Sequence, residues 1–425
     1  MMPPTVWKTQ TRTRVRGFFP EKPLPPEVFN KQKSKGNTVI SKKVIALCAT
    51  VGVAISGFAL AVPAHADPVA ESYAIVGSDT LEDVVGALIQ GTSITGSPVR
   101  SLVNNAASGS FDASGTPYII TKTSGIRFGR PNGSGDGRKA MIASIDGTTN
   151  FQASAQLYPN GTGGTTAYAK LPTGTIAGTV DLSRASSSGT VDAAGVLVQI
   201  PVGRDAISYV YDSGSAAGLG DLTVAQLKQI FEGVTPVYAT DGITRIKALT
   251  PQVGSGTGKD WAGMIGASTA TIITAATAGT YVSYGQEHDA STLPINTIMP
   301  MSASRWIAMH NGGSYAKYQA TTVMGSIETV PAVTGSGASM APNATFYNTT
   351  TNGVNFGRDT YIVAQYLRIT SGNGAYDANL ADLVDPTKST SLTNTSTSSA
   401  AKAGSVKLKY GFLPPLSTTS VRISG

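Results

Sequence analysis

Three turns rich in glycine, serine and threonine recur along the chain, each after a strand-like run and at the start of a helix. They are Gly77-Ser78-Asp79-Thr80, Gly133-Ser134-Gly135-Asp136-Gly137 and Gly254-Ser255-Gly256-Thr257. Residues of these types suit one kind of chemistry. A helix N-terminus exposes unpaired N–H groups and the positive end of the helix dipole. Glycines let the backbone approach a ligand closely, and hydroxyls add donors without adding charge. Several such termini brought to one point would hold a tetrahedral oxyanion with little side-chain charge. A single turn of this kind is an ordinary helix cap. Only convergence makes a site.

The elements around the turns read as α/β. Tyr73 to Val76 is strand-like and feeds a helix with Leu81, Val84, Val85, Leu88 and Ile89 on one face. A second helix is expected from Arg138, behind the glycine-rich stretch. Val196–Val202 and Ala206–Tyr211 read as strands. Thr223 and Gln226 cap a helix carrying Leu227, Ile230 and Phe231, and Gly254–Thr257 opens another with Trp261, Met264 and Ile265. Ten of the fourteen residues from Thr387 to Ala400 are Ser or Thr, so a mobile surface loop is expected at 387–400.

The net charge of +7 is misleading. Residues 1–66 hold 10 Lys/Arg and 2 Asp/Glu, whereas the remaining 359 hold 22 and 23. The basicity belongs to the leader, so no nucleic-acid surface is implied. Within the leader, Lys42 and Lys43 precede an apolar run from Val44 to Val62 that ends in Ala64-His65-Ala66-Asp67. That is the form of a secretory signal peptide cleaved after Ala66. The sequence leaves the start open between Met1 and Val39. Cys48, the single cysteine, follows Leu47 where a lipoprotein signal needs a small residue, so no lipid anchor is expected. The product is read as exported, and its mature part has no thiol for a disulfide, a metal or a nucleophile.

Catalytic constellations are sparse. After the leader only His288 and His310 remain, and there is no G-x-S-x-G elbow, HExxH or EF-hand loop. Glu287-His288-Asp289 reads as an exposed turn. No metal site, no cofactor and no enzymatic activity are expected.

The order of segments resembles the phosphate-type solute-binding proteins of ABC importers, with the type II periplasmic-binding-protein fold. Val76–Thr80 is similar to the family's first ligand loop and Gly133–Lys139 to its second. Thr179–Ser187 resembles the segment bearing its ligand carboxylate. Ile200-Pro201-Val202 with Ala206–Asp212 resembles the crossover into a second lobe, Leu222–Gly233 the helix that follows, and Pro251–Thr257 the last ligand loop. The resemblance implies two lobes joined by two crossover strands. Lobe one would be about 67–200 and 303–425, and lobe two about 203–300, with the chain returning along Ile295–Met301.

Carried over residue by residue, the ligand contacts fall on Thr80, Ser134, Ser255, Gly256 and Thr257. The family's carboxylate falls at Ser187 and its arginine at Pro251, so this chain departs from the pattern at both. Arg184, Arg138 and Lys259 are candidates to restore positive charge, and Asp181 is expected to hold structure. The implied function is capture of an oxyanion, phosphate first, by a monomer that hands it to an ABC permease. The alternative is a cell-surface or secreted adhesive protein that retains this fold.

Overall fold

Alternating side chains make the first strand, β1 (Tyr73–Gly77): Tyr73 and Ile75 enter one core while Ala74 and Val76 enter another. Such two-sided burial is the mark of a strand covered on both faces. The computed structural model describes residues 67–68, 72–101, 108–153, 157–159, 165–167 and 174–425. The leader, Cys48 and the expected cleavage site lie outside the described residues, all of which belong to one unit, 62–425. Strands β2 (Ser108–Ser110) and β3 (Leu182–Ala185) run parallel to β1 on its two sides.

The spine of the sheet is β4 (Leu197–Asp212), sixteen residues long. Its first part pairs antiparallel with β9 (Gly357–Gln365), from Leu197 opposite Gln365 to Ala206 opposite Gly357. Its second part pairs antiparallel with β7 (Thr297–Ser302), from Ile207 opposite Ser302 to Tyr211 opposite Ile298. Outward from β9 lie β3, β1 and β2. Outward from β7 lie β5 (Lys247–Thr250) and β6 (Val282–Tyr284), parallel to one another. Two short strands, β8 (Thr322–Met324) and β10 (Val421–Ile423), also pair with β4, completing a mixed ten-stranded sheet. The fold is therefore mixed α/β.

Register along β4 shifts between Pro201 and Gly203. Proline offers no N–H to the ladder and a bulge bends the strand that carries it. The Ile200-Pro201-Val202 segment thus lies at an irregularity inside the part of β4 that pairs with β9, ahead of the change of partner between Ala206 and Ile207.

Helices cover both faces. Around the first half, α1 (Glu82–Gln90) and α7 (Ala403–Lys409) enclose one core, and α2 (Ser134–Asp146) with Phe111, Phe128 and Phe151 encloses the other. Around the second half, α3 (Val224–Glu232), α4 (Gly256–Met264) and α5 (Thr269–Ala278) share a core with Phe346, Tyr347 and Phe356. The opposite face holds Met299, Met301, Trp306 and Met309, the last two from α6 (Ala303–His310). Thr223 and Gln226 form the expected capping box at the start of α3.

Three local expectations change. Helix α2 starts at Ser134 rather than Arg138, so Gly135 and Gly137 lie inside its first turn. A Cβ on Gly137 would stand 2.3 Å from Ser183 Oγ and 2.8 Å from Gly77 Cα, so glycine here serves close helix–strand packing. Ile295–Met301 contributes β7, which pairs only with the second part of β4 and with β5. The strand that runs back along the first part is β9, because Phe346, Tyr347 and Phe356 complete the second core before the chain returns. Segment 387–400 is anchored at its centre. Leu392 and Thr393 are buried, Thr393 Oγ1 donates to Val384 O at 2.7 Å, and Lys407 Nζ donates to Asn394 O at 2.8 Å.

Candidate functional site

Each glycine-rich turn opens a helix: those after β1 and β5 end strands of the mixed sheet, and the one before α2 joins them through a bridge from Asn132 to Gly77. Thr80 lies on the short 3-10 turn Asp79–Leu81 between β1 and α1. Thr257 lies in the first turn of α4. Their hydroxyl oxygens are 3.4 Å apart. Ser134, the first residue of α2, accepts the Ser186 N–H at 2.9 Å, and its Oγ is 3.2 Å from Ser186 Oγ. Gly256 closes the group: a Cβ there would lie 2.6 Å from Ser186 Oγ, 2.7 Å from Ser134 Oγ and 3.3 Å from Ser187 Oγ. Only glycine lets these hydroxyls approach the start of α4 so nearly. All of these side chains are buried.

Ser255 has a different duty. Its side chain accepts the Gly258 N–H at 2.9 Å and caps α4.

A residue absent from the sequence-based set sits at the threonine pair. Arg358, on β9, donates from Nη2 to Thr257 Oγ1 at 2.8 Å, to Thr80 Oγ1 at 3.2 Å and to Asp205 Oδ2 at 3.0 Å. Its Nε also reaches Asp205 at 3.2 Å, and Nη1 reaches Asp260 at 3.1 Å. Asp205 is fully buried and accepts further bonds from Ser302 Oγ and the Ser304 N–H. Burial works against the charge of Arg358, but the Asp205 and Asp260 carboxylates outweigh it and hold the guanidinium protonated. Burial pushes the Asp260 carboxyl up, against the pull of Arg358. The signal for Arg358 and Asp205 is an Arg-Asp pair inside each strand run, Arg358-Asp359 ahead of Tyr361–Ala364 and Arg204-Asp205 ahead of Ile207–Val210.

The charge candidates separate. Arg184 is fully buried, with Nε on Ser78 O at 3.0 Å, Nη1 on Ser110 Oγ at 2.5 Å and Nη2 on Phe111 O at 2.6 Å. It braces the first turn from behind and turns no fork to the hydroxyls. Arg138 donates to Ser187 O at 3.1 Å, and exposed Lys259 stands beside the start of α4. Pro251 brings no charge; the buried arginine of this site comes instead from β9. Asp181 accepts the Ala74 N–H and pairs with Arg368 and Lys122 on the far side of β1, a structural role.

Behind the hydroxyls lies a buried polar chain. Gln252 Nε2 donates to Asn132 Oδ1 at 2.5 Å and to Glu287 Oε2 at 3.3 Å. His288 Nδ1 is 3.3 Å from Asp79 Oδ1, and Arg305 Nη2 lies 3.5 Å from Asp79 and 3.4 Å from Glu82 while Nη1 pairs with Asp83. Glu287-His288 is thus a turn, but not an exposed one: the two residues are 3% and 0% exposed, Glu287 against the Gln252 amide and His288 against Asp79. Burial would raise Asp79, yet Arg305 and then His288 hold its carboxyl well below the usual range. Among the described residues no group of three His, Cys, Asp or Glu side chains is placed to hold a metal, and no helix is long and apolar enough to cross a membrane.

No protein-family model and no curated protein matches the sequence. Solved structures do align with the chain. A phosphate-binding protein from Stenotrophomonas maltophilia is 14% identical at a TM-score of 0.46, covering 83% of this chain and 92% of that one. An ABC-type phosphate transport receptor from Vibrio cholerae is 12% identical at a TM-score of 0.42, covering 81% of this chain and 100% of that one.

Proposed function

We propose that this protein is an exported solute-binding protein that captures a tetrahedral oxyanion, inorganic phosphate first, at the cradle formed by Thr80, Ser134, Ser187 and Ser255–Thr257. One observation carries the reading. Three helix-opening turns, from segments up to 177 residues apart, meet at buried hydroxyls with the guanidinium of Arg358 among them. Such a set offers hydroxyl donors, helix N-termini and one charge-assisted donor to an anion. The net charge nearby stays small because Arg358 faces Asp205 and Asp260. A structural or adhesive role leaves this meeting of hydroxyls without a purpose.

The lobes are the two halves of the sheet, with β4 and β9 as the crossing strands. Thr80, Ser134 and Ser187 come from one half and Ser255–Thr257 from the other, so an anion touching both favours their closed arrangement. The closed form is what an ABC permease would recognise, and the protein, as a monomer, does no bond chemistry itself. Export rests on the signal-like run before Ala66, with Asp67 as the mature N-terminus.

Titration calorimetry of the chain from Asp67 with phosphate and sulfate tests the reading. Binding at micromolar concentration or tighter supports it. No heat from either anion at millimolar concentration overturns it.

A further inference from the structure

Two openings lead away from the buried cradle. One, a cavity of about 250 Å³, shares Ser187, Ser255 and Gly256 with it and reaches solvent at exposed Val253 and Thr269. The other, a wider recess of about 640 Å³, shares Ser187 and Arg358 and reaches solvent at exposed Gly263 and Asn355. Their charges differ. The first is lined by Arg138 and Lys259 and by no Asp or Glu. The second is lined by Lys259 and Arg358 but also by Asp260 and Asp359, so its charges cancel. Arg138 comes from α2 in the first half and donates to Ser187 O at 3.1 Å. Lys259 comes from α4 in the second half and is exposed. Neither makes an ion pair among the described residues. Burial lowers Arg138 from its ordinary value and Asp260 opposes this, yet a guanidinium keeps its proton at neutral pH. Two uncompensated cations thus face one opening from the two halves of the sheet.

We infer that an oxyanion reaches the cradle through the smaller opening, drawn in by Arg138 and Lys259 before the halves close on it. This rests on the oxyanion reading above and adds the side of entry and the two residues that set the association rate. Room alone would favour the wider recess. Charge decides instead. An opening lined by one sign between low-dielectric walls focuses the field and raises on-rates by roughly 10- to 1,000-fold. Pro251, Ile272 and Ile273 are such walls here. Because the two cations act before contact is made, they speed association and leave residence time nearly alone.

Rapid filtration with radiolabelled inorganic phosphate measures association and release between ionic strengths of about 20 mM and about 500 mM, over which screening goes from weak to nearly complete. The double variant Arg138→Gln with Lys259→Gln should slow association about fivefold or more at the low end and match the wild type at the high end, with release changed less than about twofold. Arg138→Lys keeps the charge and should keep the rate. Lys259→Gln alone, at an exposed site, guards against a folding failure at Arg138 and should show part of the slowing. Two added carboxylates separate the openings. Thr269→Glu, on the rim of the smaller one, should slow association. Gly263→Glu, whose Cβ meets open space beside the wider one, should leave it within about twofold of the wild type. Unchanged association in the double variant, equal slowing by the two carboxylates, or a deficit that persists at high salt overturns the inference and leaves the oxyanion reading standing. If the wild type retains no phosphate, both fall.

Discussion

Nη2 of Arg358 lies 2.8 Å from Oγ1 of Thr257, and that contact ties strand β9 to the first turn of helix α4. The same nitrogen reaches Thr80, on the turn before α1, so one guanidinium stands between hydroxyls from both halves of the sheet. Its position is fixed by Asp205, on the strand paired with β9. A charge in this position is expensive to bury unless its partners are complete. An anion arriving at the two threonines would therefore find a donor already oriented.

Arg358→Lys keeps the charge but loses the planar fork that serves Asp205, Thr80 and Thr257 together. Hydrogen bonds to charged groups contribute ~1.5–3 kcal/mol, so phosphate affinity should fall about 10- to 100-fold. Calorimetry on this variant is the check; affinity equal to the wild type would place the anion away from Arg358. Arg358→Met should in addition lower folding stability by ~3–5 kcal/mol, because Asp205 is left buried without its cation.

Thr257→Val removes one hydroxyl and leaves the backbone N–H groups of α4 in place. Phosphate affinity should fall by ~0.5–1.5 kcal/mol and persist. Ser255→Ala acts differently, since that side chain caps the helix through the Gly258 N–H. It should cost ~1 kcal/mol of stability. The double variant, Ser255→Ala with Thr257→Ala, should lose ~1–3 kcal/mol in binding. Abolished binding in the Thr257→Val variant alone would show that the hydroxyl, not the helix terminus, carries the affinity.

Gly256→Ala separates binding from folding. The position is helical, where alanine is favoured over glycine by ~1 kcal/mol. Its Cβ, however, would press within 2.6–2.7 Å of the Ser186 and Ser134 hydroxyls. Phosphate binding should be lost or fall more than tenfold while the thermal midpoint stays within a few degrees. Intact binding would mean that the hydroxyls do not need to converge.

The sequence made the turns legible but not the arginine between them. Gly77, Gly133 and Gly254 each announce a strand-to-helix turn through local chemistry, and local chemistry is what spacing along a chain records. Arg358 meets Thr80 across 278 residues and Thr257 across 101, through strand pairing that leaves no local mark. The pairing of the returning strands is hidden for a related reason. Ile295–Met301 is as strand-like as Gly357–Gln365, and only the partner strand distinguishes them. Glu287 and His288 read as exposed because charged residues in a turn usually are; here their partners come from distant segments.

Lys407 gives a pH test far from the cradle. It is 5% exposed, and burial pushes its ammonium down to about 7, with Nζ donating to Asn394 O. Between about 7 and the ordinary lysine value of 10.5 the unfolded chain holds a proton that the folded one has released. Stability should therefore rise with pH across that window. Lys407→Met should flatten the rise, whatever its effect at a single pH. Urea midpoints at pH 7.5 and 9.5 measure the slope, and equal slopes in both proteins would show that Lys407 titrates normally.

Glu82 should act in the opposite sense and over a different range. Burial, reinforced by the Asp79 and Asp112 carboxylates, raises it from 4.5 to about 8 in spite of Arg305 and Lys317. From about 4.5 upward the unfolded chain gives up this proton while the folded chain keeps it, so rising pH favours unfolding until about 8. Asp79 does not confuse the window, since its carboxyl is held low and is ionised throughout. Glu82→Gln keeps an oxygen that can accept the Ala113 N–H, now donated to Glu82 Oε2 at 3.0 Å, and removes the titration. The wild type should lose stability between pH 5 and pH 8, and the glutamine variant should lose less. Urea is the denaturant of choice because a salt would screen the neighbouring charges. If the two proteins keep the same pH slope, Glu82 is ionised across the range and Arg305 outweighs its burial.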